Sequence, residues 1–164
     1  PHYRSLISQT ERFASGYLAM KYLIDTCVIS ELAKPIPNQS VVSWIEGQDD
    51  DLLFMSVLVL GEIQKGISKV KDTRRRDTLQ TWLDTQLLQK FQGRILPIDL
   101  DVALTWGIVQ GEAESKGKTL STIDGLIAAT AIARNLTVVT RNTGDFFPTG
   151  VRVFDPWNYG VTQP

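Results

Sequence analysis

The chain has 164 residues and is 43% apolar, which suits one domain with a real core and excludes a disordered chain. Its formal net charge of −1 supplies no global basic field, so any binding of nucleic acid must be local. A single cysteine, Cys27, and a single histidine, His2, exclude an intrachain disulfide, Cys-rich zinc sites, His-based triads and zincin centres. No stretch is long and apolar enough to span a bilayer, and the compartment expected is the cytoplasm.

Residues 1–19 differ in character from the rest of the chain and read as an N-terminal extension: an upstream or added segment ahead of a start at Met20, or a short helix. Tyr22-Leu23-Ile24 is a short apolar run, a buried strand that ends at Asp25. Val28 to Ala33 is a short helix stopped by Pro35 and Pro37. Asn38 or Ser40 caps a second helix, through Val41, Val42, Trp44 and Ile45, that Gly47 ends. Leu52 to Met55 is the next strand, and Ser56 caps a helix running to about Val70. Thr73 caps a longer helix with Leu79, Trp82, Leu83, Leu87 and Phe91 on one face. Ile95 to Ile98 is a short strand. Asp99 or Asp101 caps a helix with Val102, Trp106, Val109 and Ala113 at helical spacing, closed by Gly117. Ser121 begins the helix TIDGLIAATAIA, which Asn135 closes. Thr137 to Thr140 is the cleanest strand, and Val151 to Phe154 is a last, weaker one.

Strands alternating with helices predict an α/β fold, a three-layer α/β/α sandwich around a central parallel sheet. The domain is expected over residues 20–157, with 158–164 as a C-terminal tail. A basic run, Lys65, Lys69, Lys71, Arg74, Arg75 and Arg76, reads first as a solvated helix end. Beside a metal site it becomes a candidate contact to a phosphate backbone.

Open parallel sheets place ligands at the carboxyl ends of their strands. Asp25 ends the first strand, Glu62 falls in the second turn of its helix, Asp124 in the first turn of another, and Asp145 shortly after the strand at 137–140. All four can converge on one sheet edge. Two carboxylates about 4 Å apart repel by roughly 4 kcal/mol at an effective dielectric of 20, so such a cluster needs a cation. Hard oxygen ligands without His or Cys favour Mg²⁺ or Mn²⁺. Such an ion lowers the pKa of water and neutralises a phosphoryl oxygen, powers that phosphodiester hydrolysis uses best. Each acid also has a plainer role. Asp25 suits a helix cap, Glu62 a pair with Lys65, Asp124 a capping box with Ser121, and Asp145 a turn. Asp99 and Asp101 are placed at the same edge and read as caps.

Taken together, KYLIDTCVISEL, LVLGEIQKG, STIDGLIAATAIARNLTVVTRNTGDF and VFDPW resemble the PIN-domain ribonucleases. The likeness is greatest to the VapC and FitB-type toxins of bacterial toxin–antitoxin pairs, some of them plasmid-stability functions. It covers roughly residues 20–157. It implies an acidic pocket holding Mg²⁺ or Mn²⁺ and metal-dependent cleavage of RNA by an activated water. By motif position Asp25, Glu62 and Asp124 match the family's first three acids. The fourth is Asp145, with Asn142 standing where some relatives carry an acid. Thr26, Ser121, Arg141 and Asn142 are the substrate-binding candidates. Cys27 replaces an Asn usual in the family; with no His to activate it, the thiol reads as a small buried group rather than a nucleophile.

The resemblance further implies a homodimer and a cognate antitoxin whose tail covers the acidic pocket. DNA binding by the assembled pair to its operator then belongs to the antitoxin. Helix segments near Ile29–Leu32 and Val57–Ile67 are candidates for the antitoxin groove. Two other classes remain in view: a structure-specific DNA nuclease with the same metal chemistry, and an inactive protein-binding module.

Overall fold

A computed structural model describes residues 19–160. Most of the expected extension at 1–19 and the last part of the expected tail at 158–164 lie outside these residues. Five strands form one parallel sheet in the order β3-β2-β1-β4-β5: β1 Tyr22–Ile24, β2 Leu53–Ser56, β3 Ile95–Leu96, β4 Thr137–Val139 and β5 Val153–Phe154. Helices flank it: α1 Thr26–Leu32, α2 Gln39–Glu46, α3 Val57–Ser68, α4 Thr73–Trp82, α5 Leu100–Ser115, α6 Thr122–Ala133 and a short α7, Thr143–Phe146. The fold is the expected α/β/α sandwich. Among the described residues no helix is long and apolar enough to cross a membrane.

The middle of the sheet is covered on both faces, which is why β1 and β4 read as continuous apolar runs rather than alternating ones. Leu23, Ile24, Val138 and Val139 are fully buried, as are Leu53 and Met55 on β2. Burying each Leu or Ile of this kind contributes about 1.5–3 kcal/mol. Trp44 carries α2 onto the sheet, edge-on to Tyr22 at 5.1 Å and tilted against Phe154 at 5.1 Å.

Caps fall largely where the side chains foretell them. Asp25, Asn38, Ser56, Asp99 and Ser121 each accept a backbone N–H at the start of a helix. Asn135 and Gly117 follow their helices in left-handed conformation, with φ of 54° and 66°. The differences are local. Asp72, not Thr73, caps α4, by accepting from the Arg75 N–H at 2.9 Å. A carboxylate there also offsets three arginines in the positive first turn. The stripe of α4 continues past Trp82 through a π-helical stretch, Leu83–Leu87, and a last turn, Leu88–Lys90. That keeps Leu83, Leu87 and Phe91 buried despite the extra residue. Strand β3 stops at Leu96 because Pro97 has no N–H to donate. Strand β5 begins only at Val153, and α7 occupies residues that read from sequence as a turn.

Helices α5 and α6 lie antiparallel. Arg134, at the end of α6, pairs with Asp99 and with Asp101, the latter at 3.7 Å, at the start of α5. Gln110 of α5 donates to the Leu120 carbonyl at 3.2 Å, just ahead of α6. A Cβ on Gly125 would stand 2.9 Å from Gln110 Oε1 and 3.2 Å from the Trp106 ring, so glycine is what lets the two helices close here.

Candidate functional site

Asp25 follows the last residue of β1 on the central axis of the sheet, where its backbone N–H bonds the Val139 carbonyl at 3.0 Å. Its carboxylate is only 7% exposed. One oxygen caps α1 by accepting from the Thr26 N–H at 2.8 Å; the other accepts from the Thr140 hydroxyl, also at 2.8 Å. Thr140 is the residue just past β4, fully buried, and its Oγ1 in turn accepts from the Asn142 N–H at 3.0 Å. From sequence alone Thr140 is no more than the end of a strand. A hydroxyl at the carboxyl end of the strand beside Asp25 is the signal that could have found it.

Two further acids close on Asp25. Thr26, in the first turn of α1, donates its hydroxyl to Glu62 Oε2 at 2.7 Å and so ties α3 to the end of β1. Asp124 is fixed by Ser121, whose Oγ accepts from the Asp124 N–H at 3.1 Å and donates to Asp124 Oδ2 at 2.6 Å. Thus Asp25 and Asp124 take part in the caps that their plainer roles require and still face the same edge. Glu62 takes Thr26 rather than Lys65. Burial pushes the Asp25 carboxyl above the ordinary value of 3.8; the Thr140 and Thr26 hydrogen bonds oppose this, and the negative charges of Glu62 and Asp124 add to it. Among the described residues no Lys or Arg forms an ion pair with any of these acids.

The other sequence candidates are distributed differently. Asp145 is exposed on α7. Asn142 precedes α7 without capping it through its side chain. Arg141 is exposed, and its guanidinium lies over the Trp157 ring, 5.4 Å from the centroid. Asp99 and Asp101 do not reach the acidic edge. Their partner Arg134 lies ten residues along α6 from Asp124, about 15 Å at 1.5 Å per residue. The basic run from Lys65 to Arg76 spans the end of α3 and the start of α4, and all but Arg76 are exposed.

Cys27 is more than a small buried group. Its Sγ is 3.8 Å from Asp25 Oδ2 and 3.4 Å from Thr140 Oγ1, and it accepts from the Arg141 N–H at 3.4 Å. Burial pushes the thiol up, which keeps it protonated and unreactive.

Among the described residues no three Asp, Glu, Cys or His side chains are grouped to hold one metal ion as they stand. The donor set nevertheless fits a hard divalent cation. It is all oxygen, it forms no ion pair with a basic side chain among the described residues, and its most buried member is raised by burial and, further, by its neighbours' charge.

The PIN domain family model matches residues 22–148. This chain belongs to the PIN-domain family. Among curated relatives of this PIN domain, Toxin FitB of Neisseria gonorrhoeae is 38% identical over 83% of the chain and 98% of its own length. The VapC ribonuclease Y4jK of Sinorhizobium fredii is 36% identical over 82% of the chain and 96% of its own. A chain in the solved structure of FitAB bound to IR36 DNA fragment superposes on the PIN domain with a TM-score of 0.80 at 35% identity, covering 87% of this chain and 99% of that one.

The raised Asp25 carboxyl gives this PIN domain a pH dependence. A folded pKa above the unfolded one favours the fold fully below about 3.8, and that contribution is lost as pH rises through the folded value. In EDTA, Asp25→Asn should therefore gain thermal stability over wild type as pH rises from about 4 to 7, with the smallest difference at the acid end. Melting curves of both proteins across that range check it; a difference constant with pH would contradict it.

Proposed function

We propose that this PIN domain is a Mg²⁺- or Mn²⁺-dependent endoribonuclease and acts in the cytoplasm as the toxin of a toxin–antitoxin pair. The observation that carries the reading is the set of Asp25, Glu62 and Asp124 around the end of β1 without a basic partner among the described residues. The names of relatives covering almost all of their own length, a toxin and a VapC ribonuclease, support it.

Asp25, Glu62 and Asp124 would hold the cation, with Asp145 as the fourth acid and the Asn142 amide as its polar helper. When bound, the ion supplies Lewis acidity toward a phosphoryl oxygen and a lowered pKa for water. The chain's own groups do the rest. Thr140 and the Thr26 N–H fix the Asp25 carboxylate and favour its ionised form, opposing the cost of burial. The Thr26 and Ser121 hydroxyls set the rotamers of Glu62 and Asp124. One carboxylate of the set accepts a proton from the attacking water, whose oxygen bonds to phosphorus in line with the departing 3′ oxygen. The products carry 5′-phosphate and 3′-hydroxyl ends. Arg141, with Thr26 and Ser121, binds the substrate.

The partners proposed are an antitoxin, through which the assembly binds operator DNA, and a second copy of the chain. The DNA-bound FitAB structure is what supports the first. Of the segments expected for the groove, Ile29–Leu32 and Val57–Ile67, Ile29, Val59, Ile63 and Ile67 face the core, while Val57 is exposed and Leu32 and Leu60 are half-buried. An open groove of about 910 Å³ lies beside it, between Ala33 and the α4 residues Thr73, Leu79 and Trp82, and we assign the antitoxin there. The second copy is assigned to α5. Leu100, Leu104 and Ile108 are 73%, 62% and 63% exposed along one face. Exposed Ala103, Gly107 and Gly111 run beside them, with nothing within 4 Å of a Cβ added to either glycine. Glycines inside a helix cost about 1 kcal/mol each, and these make no close contact among the described residues to offset it. An antiparallel pair about a two-fold near Trp106 would set Leu104 against Ile108 of the other copy, with small residues letting the axes approach.

Two outcomes are expected. Purified protein should cut total RNA into discrete fragments with Mg²⁺. EDTA should stop this, and Asp25→Asn should slow it about a hundredfold or more without loss of fold. Full cleavage by Asp25→Asn, or preferential cutting of DNA oligonucleotides tested in parallel, would overturn the assignment. In sedimentation, wild type should be dimeric and Leu104→Glu monomeric at the same concentration; an unchanged dimer would place the interface elsewhere.

A further inference from the structure

One feature of the acidic edge belongs neither to the carboxylate set nor to the core. Arg141 follows Thr140, the residue that holds Asp25, and its backbone is pinned to Cys27 Sγ at 3.4 Å. The side chain is exposed and laid across the indole of Trp157, 5.4 Å from the ring centroid. Among the described residues no carboxylate forms an ion pair with it. Buried Glu31, the acid whose charge it feels, is taken by Lys34 Nζ at 2.6 Å and by the Asn38 N–H at 2.9 Å. This cation therefore lies against a ring, and no carboxylate among the described residues pairs with it directly.

Trp157 is itself fixed. Its N–H bonds Asp155 Oδ1 at 2.9 Å, and its side chain is half-buried against the main core. It comes after β5, which runs parallel to β4, so it stands at the same sheet edge as Thr140 and Asp25.

An arginine neutralised by a carboxylate has little left to offer a ligand. One held over an indole keeps its charge, and its guanidinium keeps a planar face and rim donors for a ligand. That combination suits an unpaired nucleobase, which stacks on guanidinium planes and aromatic rings, with the neighbouring phosphate within reach of the rim donors. A base inside a duplex is already stacked and has no free face for such a platform.

We propose that Arg141, held over the Trp157 ring, forms a subsite for an unpaired nucleobase of single-stranded RNA next to the phosphodiester at the acidic site. This rests on the ribonuclease reading and assigns one base contact of its substrate to Arg141. Arg141 touches the base; Trp157 is the positioning residue over whose ring the guanidinium is held. A partner protein's carboxylate would use only the charge of Arg141, and that difference makes the two separable.

The experiment measures binding of a short, mixed-sequence, fluorescein-labelled single-stranded RNA to the full chain by anisotropy in EDTA, where cleavage does not intervene. Trp157→Leu and Arg141→Lys should each weaken binding about tenfold, and Trp157→Phe should stay close to wild type. A duplex of the same sequence should bind all four proteins alike. Arg141→Lys binding as tightly as wild type would overturn the subsite, since charge alone would then suffice. So would Trp157→Leu that melts with wild type and binds as tightly. If Trp157→Leu does not fold, Arg141→Gln beside Arg141→Lys decides: equal losses support stacking, and retention by Lys overturns it. Cleavage with Mg²⁺ is scored on the same proteins. The predicted binding pattern without cleavage removes the enzyme and leaves the subsite; cleavage with no binding difference among the variants removes the subsite alone. Where cleavage occurs, the losses should fall on KM rather than kcat.

Discussion

A carboxylate buried at the carboxyl end of the central strand, without a basic partner among the described residues, is the constraint around which this fold is arranged. Asp25 is 7% exposed and held by the Thr140 hydroxyl and the Thr26 N–H. Removing an ionised carboxylate from water is costly unless hydrogen bonds or a counter-charge offset it. Here two hydrogen bonds oppose the penalty and do not cancel it, and the nearby Glu62 and Asp124 add to it. Three acids drawn together in this way repel one another, and one divalent cation would relieve that repulsion.

The surrounding structure serves that arrangement. The parallel order β2-β1-β4 puts the strand end bearing Asp25 between two neighbours, so Thr140 reaches it from one side. The helices after β1 and β2 bring Thr26 and Glu62 into contact across 36 residues of sequence. Helix α6 delivers Asp124 from a loop anchored by Gln110 to the Leu120 carbonyl, across a helix contact that Gly125 keeps open. Cys27 joins this network through its sulfur. Its contacts with Thr140 and the Arg141 N–H link the buried acid to the exposed cation at the rim. Core packing and site geometry are therefore one problem here.

Much of this is legible in the chain. Apolar runs ending in Asp25 and Thr140, Ser56 and Ser121 placed to cap, and Asp124 three residues after Ser121 are local signals, and local signals survive folding. Several features are not legible because they depend on contacts between distant segments. The order of the strands makes Thr140, not merely an acid, the partner of Asp25. The antiparallel course of α5 along α6 carries Asp99 and Asp101 to Arg134, at the opposite end of α6 from Asp124. The π-helical stretch after Trp82 absorbs a residue that no helical-period reading counts. Asp145, whose plainer role from sequence is a turn residue, stands instead on the short helix α7. The apolar face of α5 is a different case: its composition is visible in the chain, but only the fold shows that Leu100, Leu104 and Ile108 face outward.

The most direct test of the cation site is calorimetric titration of Mn²⁺ into wild type, Glu62→Gln and Asp124→Asn at neutral pH. The account predicts saturable binding to wild type and at least about tenfold weaker binding to each variant, since each removes one charge from the set that holds the ion. Binding of equal strength to all three proteins, or none to folded wild type, would contradict it.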